Sequence, residues 1–283
     1  MNIPEVVRCP KCGGAIEAGA MKCIACNAPC YAEYGRLSFI SPDDRNAITR
    51  ECGSDRENAV KNFFKRWPRF YSLFSRAISP VLFTGMTAPR FVRRYGPFKR
   101  LLNVGSGPTR LQTDVLNIDL FPFDGVDILT RAEALPFSEN TFDAVCSDEV
   151  LEHVNDAQQV VQEIVRVTKI GGLIYLGVPF VFPYHPSPND YRRWTIAGLC
   201  ASVPNCRVVA SGVMMGPTSG TMSIFAVWLA TICSFGISPL RKILKYFFMI
   251  ILSPLKLLDL VYARLPGAEE TAAAVYVVCR KVS

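Results

Sequence analysis

The stretch Leu101-Leu-Asn-Val-Gly-Ser-Gly-Pro108 decides the fold. Leu101 to Val104 is an apolar run of the length expected for a short buried strand. It leads into Gly105-Ser106-Gly107-Pro108, a turn whose backbone can approach a ligand closely. A second apolar run, Val115 to Ile118, ends in Asp119, fifteen residues after Val104. A glycine turn after one strand, with an acid closing the next, is how a doubly wound sheet holds a nucleoside. The turn packs on the ligand and the carboxylate accepts hydrogen bonds from ribose hydroxyls. Gly-x-Gly alone serves any tight turn, so the weight falls on what surrounds it.

Downstream, Val126 to Leu129 reads as a third strand and Thr141 to Cys146 as a fourth. Asn155 is the expected helix N-cap, with Gln158 completing a capping box. Ala157, Val160, Val161, Ile164 and Val165 share one helical face, and Gly171-Gly172 is expected to end that helix. Leu173 to Val178 is a fifth strand. Strand and helix alternate over short links, which implies a mostly parallel sheet.

Residues 100–180 resemble the class I S-adenosylmethionine-dependent methyltransferases of the type-11 group. The resemblance is carried by Asn103-Val-Gly-Ser-Gly107, Asp119, Ala134-Leu-Pro-Phe137, Phe142-Asp-Ala-Val145, Val150-Leu-Glu-His-Val154 and Gly171-Gly172. It implies an α/β fold: a Rossmann-like seven-stranded sheet whose last strand is antiparallel. It further implies that Gly105 and Gly107 approach S-adenosyl-L-methionine and that Asp119 holds its ribose. The backbone at Ala132 would flank the adenine, and Ser147 and Asp148 would face the sulfonium. Asn103 stands where the family has an acid, so it would meet the methionine ammonium through its amide oxygen, without ion pairing. Thr109 replaces the third glycine, and Arg131 replaces an acid that would accept from adenine.

Upstream, Cys9-Pro-Lys-Cys12 and Cys23-Ile-Ala-Cys26 form two CxxC knuckles with ten residues between them. Four thiolates at this spacing predict a closed, structural Zn²⁺ site. The chain has eleven cysteines. Met1 to Arg8 has no apolar core, so a reducing compartment is expected and metal is preferred over disulfides. Cys30 is an alternative ligand with poorer spacing.

The domain organisation follows: a zinc ribbon over 1–40, a linker and basic aromatic helical arm over 41–99, and the methyltransferase domain over 100–283. Residues 41–54 are polar and read as linker. In the arm, Val60, Phe63, Phe64, Trp67, Phe70, Tyr71 and Phe74 recur at helical spacing among Lys and Arg. Lys61 to Arg100 holds ten basic residues and no acid, in a chain of formal charge +7. That band suits a membrane surface, a nucleic acid, or plain packing of aromatics on the catalytic domain.

Past the fifth strand, Pro179 to Thr195 is dense in polar and aromatic groups and should roof the pocket. His185 is the candidate general base, with Asp190 as its partner or substitute. Arg192 and Arg193 suit an anionic acceptor. The sixth strand is Arg207 to Val213 and the last is Ala272 to Cys279. Between them residues 217–266 form an apolar helical insertion, and no charge occurs from Val208 through Leu240. Met222 to Leu240 is long enough to span a bilayer. Both flanking strands belong to one sheet, however, so helices lying in the cytoplasmic leaflet, or a shallow re-entrant pair, are expected. A buried lid or dimer interface is the alternative.

The expected function is methyl transfer at the inner face of a membrane, with the protein cytoplasmic and peripheral. The acceptor would be a cell-surface glycan precursor or another amphiphile, engaged through 217–266 and the arm at 61–100. Two alternatives differ in class: an RNA base methyltransferase that uses the ribbon for recognition, and a non-catalytic zinc and membrane interaction protein.

Overall fold

The computed structural model describes residues 6–17, 20–51, 79–186 and 189–283. The helical stripe from Val60 to Phe74 lies outside the described residues.

The two knuckles flank a short hairpin, β1 (Ile16–Glu17) and β2 (Lys22–Cys23). A second hairpin follows, β3 (Tyr31–Glu33) and β4 (Arg36–Ser38). The catalytic strands are β5 (Leu101–Val104), β6 (Val115–Asp119), β7 (Ile128–Leu129), β8 (Phe142–Asp148), β9 (Thr168–Pro179), β10 (Cys206–Met215) and β11 (Ala274–Lys281). They form one sheet with β3 and β4, in the order β10-β11-β9-β8-β5-β6-β7-β4-β3. From β7 to β9 the strands run parallel, and β11 lies antiparallel between β9 and β10. The seven-stranded sheet with its antiparallel last strand is therefore present. The ribbon adds to it: β4 pairs in parallel with β7 through Leu37 opposite Ile128 and Ser38 opposite Leu129. This covers a sheet edge that would otherwise offer unpaired amides.

Every residue of β5 and β6 is buried, as continuous apolar strands of a two-faced sheet must be. On one face pack α3 (Ala157–Val167), α4 (Ile196–Ala201) and the N-terminal Val6 and Val7. On the other, α2 (Ala88–Tyr95) sets Phe91 against Tyr175 at 5.6 Å between ring centroids.

Three local expectations are corrected. The polar stretch read as linker is a helix, α1 (Pro42–Glu51). Ser41 Oγ accepts from Asp44 N–H at 3.1 Å and caps it. Arg45 is buried by an ion pair with Glu33 and donates to Ser38 Oγ at 3.0 Å. The N-cap of α3 is Asp156, one residue beyond Asn155, with its Oδ1 accepting from Gln159 N–H at 3.0 Å. That helix ends at Val167, before the glycines. Gly171 (φ 80°) instead bends the early part of β9.

The insertion folds as α5 (Pro217–Cys233), α6 (Ser238–Leu252) and α7 (Asp259–Tyr262). Phe235 (φ 48°) and Gly236 (φ 81°) break the apolar run between α5 and α6. Among the described residues no helix is long and apolar enough to cross a membrane. Asp259 caps the N-terminal end of α5, accepting from Thr218 N–H at 2.7 Å and from Ser219 N–H and Oγ–H at 2.9 and 2.6 Å. The insertion thus closes on itself through a buried carboxylate on a helix N-terminus.

Candidate active site

The site forms beyond the carboxyl ends of β5, β6, β8 and β9, where a doubly wound sheet places its ligands. Gly105 (φ 65°) and Gly107 (φ 51°) make the first turn left-handed. The two differ in surroundings. A Cβ on Gly105 would strike Val150 Cγ2 at 2.3 Å, whereas one on Gly107 would meet nothing within 4 Å. Gly105 is fixed by packing, and Gly107 borders open space of the kind a bound cofactor would occupy.

Asp119 is brought to that turn by the register of β6 against β5. Its Oδ2 accepts from Gly107 N–H at 2.8 Å and its Oδ1 from Phe121 N–H at 2.9 Å. Burial raises its carboxyl above the usual range, opposed by these amides. Asn103 is also buried. Its Nδ2 donates to Thr109 O and Asn117 Oδ1, both at 3.2 Å. The amide is oriented by its donors, which leaves Oδ1 as the acceptor toward a ligand. Arg110, next to Thr109, ties the turn to the loop before β7 through Gly125 O at 2.9 Å and Asp127 at 3.2 Å. Ala132 lies after β7, beside an exposed Arg131.

Ser147 and Asp148 end β8. Ser147 Oγ is buried with no hydrogen-bond partner. Asp148 lies under the start of α2, with Ala88 N–H 3.5 Å and Tyr175 Oη 3.3 Å from its carboxylate. Desolvation there lifts its pKa to about 6, against those hydrogen bonds and with the Glu152 charge adding to the rise. Glu149 then takes a left-handed φ of 56° and turns the chain into a one-turn helix, Leu151–His153. Backbone in this region, on a residue other than glycine, is held by its surroundings.

On the acceptor side, Asp190 is not free to take a proton. Arg193 grips both its oxygens, Oδ2 at 2.6 Å, and the His185 backbone N–H donates to Oδ2 at 2.9 Å. Desolvation opposes them, but these contacts hold Asp190 down to about 2. It lies beside His185, Oδ2 3.3 Å from the ring Nδ1. His185 Nδ1 lies 3.2 Å from Pro183 O and 3.3 Å from Asp190 Oδ2. The donor Arg193 Nη2 also faces Nδ1, at the longer distance of 3.4 Å; the two nearer acceptors favour the tautomer with the hydrogen on Nδ1 and the lone pair on Nε2. Arg192 donates to Asn155 O and so braces the loop. The sequence reading gave no role to Glu152, whose backbone carbonyl accepts from Tyr191 N–H at 2.8 Å. A separate cleft of about 650 Å³ opens between α4 and β10, bordered by Phe180 and Glu270. None of the glycine-turn residues lines it.

In the ribbon, Cys9, Cys12, Cys23 and Cys26 place their sulfurs within 4.8 Å of one another. Cys9 and Cys26 Sγ are 3.7 Å apart, and Cys12 and Cys23 Sγ 3.5 Å. A tetrahedron with Zn–S bonds of about 2.3 Å has edges of roughly 3.8 Å, whereas a disulfide would be about 2.05 Å. The Gly14 amide hydrogen-bonds Cys12, and those of Ala25 and Cys26 hydrogen-bond Cys23, as thiolates require. These four residues fit the metal, and Cys30 stands outside the cluster.

Residues 104–176 match a family model described as a methyltransferase domain. Solved structures similar to the chain include phosphoethanolamine N-methyltransferase 2 of Haemonchus contortus in complex with S-adenosyl-L-methionine. Its identity is 15%, over 69% of this chain and 52% of that one, with a TM-score of 0.43. The 1,6-didemethyltoxoflavin-N1-methyltransferase of Burkholderia thailandensis is 14% identical over 89% of this chain and 98% of that one, with a TM-score of 0.44. The [4+2]-cyclase SpnF is 17% identical over 64% and 75%, with a TM-score of 0.40. No curated protein matches by sequence. From the glycine turn through β9 the strands, the acid at Asp119 and the family match agree: residues 104–176 are a methyltransferase domain, set in the Rossmann-like sheet expected of class I.

Proposed function

We propose that this methyltransferase works at the cytoplasmic face of a membrane on an amphiphilic acceptor, such as a lipid-linked glycan precursor. The observation that carries the reading is α6: a strongly apolar helix with no buried residue. Ile243, Phe247, Ile250 and Ile251 all face outward from it. Across the turn, Trp228 is 55% and Phe235 88% exposed. So many exposed large apolar side chains on adjoining helices call for a cover. Arg241, Lys242 and Lys245 at the start of α6 suit anionic headgroups beside a buried apolar face.

When bound, S-adenosylmethionine supplies an electrophilic methyl group on a sulfonium. Gly105 and Gly107 would admit it, and Asn103 Oδ1 would accept from its ammonium. Asp119 would exchange its Gly107 and Phe121 amides, in part, for ribose hydroxyls. The Ala132 backbone would flank the adenine, with Ser147 and Asp148 toward the sulfonium. His185 would stand on the acceptor side. The four ribbon cysteines would hold a structural Zn²⁺, closed to chemistry by its thiolates.

The test is sedimentation of the full-length protein with vesicles. Binding to anionic phospholipid vesicles is expected. A Phe247→Ser/Ile251→Ser variant with unchanged melting temperature should bind about tenfold more weakly or worse. No vesicle binding by the wild type, or tight salt-dependent binding to RNA in its place, overturns the membrane reading.

A further inference from the structure

The residue that the methyl-transfer reading leaves unexplained is Glu152. Its side chain is fully buried, and neither carboxylate oxygen has a hydrogen-bond partner. A lone buried carboxylate is costly unless a positive charge meets it. What faces it is a pair of imidazoles. His153 Nε2 lies 3.7 Å and His185 Nε2 3.8 Å from Glu152 Oε1. Those distances are too long for hydrogen bonds. They are shorter than two metal–ligand bonds end to end, about 4.2 Å.

Both rings are turned to present a lone pair to the carboxylate. His153 Nδ1 lies 2.6 Å from Asn189 O, so it must donate, and Nε2 is left unprotonated in the neutral ring. His185 Nδ1 lies nearer the acceptors Pro183 O and Asp190 Oδ2, at 3.2 and 3.3 Å, than the donor Arg193 Nη2 at 3.4 Å, which favours the same tautomer. A carbonyl or carboxylate behind each imidazole is the usual support for a metal-binding histidine. The rings meet edge to face, 5.1 Å between centroids. The ligand atoms of Glu152, His153 and His185 lie within 4.8 Å of one another.

We propose that Glu152, His153 and His185 bind a first-row divalent metal ion, such as Mn²⁺, Fe²⁺ or Zn²⁺, beside the candidate methyl-acceptor site. Two imidazoles and one carboxylate suit these ions better than Ca²⁺ or Mg²⁺. Three protein ligands leave coordination positions open, unlike the four thiolates of the ribbon. With the ion in place, His185 is a ligand and not a general base. An acceptor with oxygen donors would occupy the open positions; this last step rests on the methyltransferase reading, and the binding itself does not.

The test uses the full-length protein with its ribbon zinc in place and no methyl donor. Mn²⁺ is titrated in, and loss of the free aqua-ion signal is followed by electron paramagnetic resonance. About one Mn²⁺ per chain is expected beyond the ribbon metal, with a rise in melting temperature. Glu152→Gln and His185→Ala should each weaken binding more than tenfold and abolish that rise. Glu152→Gln is isosteric and removes a buried charge, so it should fold, and unchanged S-adenosylmethionine binding in calorimetry checks this. Wild-type protein that takes up no Mn²⁺, Co²⁺ or Zn²⁺ beyond the ribbon overturns the proposal, as does undiminished uptake by Glu152→Gln. Failure of donor binding with Mn²⁺ uptake intact would count against the methyltransferase reading alone.

Discussion

The molecule holds two clusters of candidate metal ligands, and they are built in opposite ways. The ribbon's four cysteines come from two local turns, and backbone amides already point at two of the sulfurs. Glu152 and His153 come from the turn after β8, and His185 from the loop after β9. The first cluster creates its own fold, whereas the second is assembled by the parallel sheet beneath it. The thiolates make a closed site suited to structure, and the imidazoles and carboxylate an open one suited to a ligand. Metal removal should therefore have contrasting consequences at the two places.

At the ribbon the effect should be large. Structural Zn²⁺ contributes on the order of 10 kcal/mol to folding in small zinc modules. A chelator strong enough to strip the cysteines should unfold residues 6–40. The damage should spread, because Val6 and Val7 belong to the main core and β4 pairs with β7. Arg8 N–H donates to Pro136 O at 2.8 Å, and Val7 bridges Phe137. The ribbon thus braces the 132–137 turn expected to flank adenine. Stripped protein should lose melting temperature, become protease-sensitive before residue 40, and bind S-adenosylmethionine more weakly. Intact donor affinity after complete zinc loss would break the link between ribbon and cofactor turn. Glu152→Gln, measured without added metal, should leave stability unchanged or raise it, since a buried unpaired charge is gone.

A smaller contrast lies within the glycine turn. Both glycines are left-handed, so an alanine costs roughly 1–2 kcal/mol of backbone strain at either. Only Gly105 adds a collision, with Val150 at 2.3 Å. Gly105→Ala should therefore lower the melting temperature clearly more than Gly107→Ala. Gly107→Ala should instead reduce donor affinity out of proportion to its stability loss, because its new methyl enters the open space of the turn. Calorimetry and thermal melts on the pair decide this; equal stability losses with equal affinity would refute the division of labour.

How much of this was legible in the sequence follows from how local each feature is. The ribbon's cysteines, the Gly105–Gly107 turn and Asp119 sit within short stretches whose spacing carries their geometry. The mostly parallel sheet came from the alternation of strand and helix, and its antiparallel last strand from the resemblance. The helix at Pro42–Glu51 was missed although its cap, Ser41 with Asp44 three residues on, is local; its polar surface hides the buried Arg45–Glu33 pair, which is tertiary in origin. The join of β4 to β7 was equally invisible, since two-residue pairing leaves no periodicity. Glu152 passed as part of the Leu-Glu-His-Val motif. Nothing in one dimension says that its carboxylate is buried against a histidine 33 residues away. An acid beside a histidine just past a strand end was the available signal.

A pH-dependent effect is set by Asp148, at the end of β8. Its ordinary carboxylate pKa of 3.8 is raised to about 6 in the fold, chiefly by desolvation. The native state therefore holds this proton more tightly than the unfolded chain does. Stability linked to Asp148 is fully present below its unfolded pKa. It declines as pH rises through the interval between 3.8 and about 6, and it is lost above that. Asp148→Asn keeps an oxygen for Ala88 N–H and Tyr175 Oη–H but cannot ionise. Denaturant melts across pH should show the variant gaining on the wild type as pH increases through this window, with a constant difference above it. A difference independent of pH would mean that Asp148 is solvated in the native state. The carboxylate would then be open to the cleft, free to meet a sulfonium, and not held under α2.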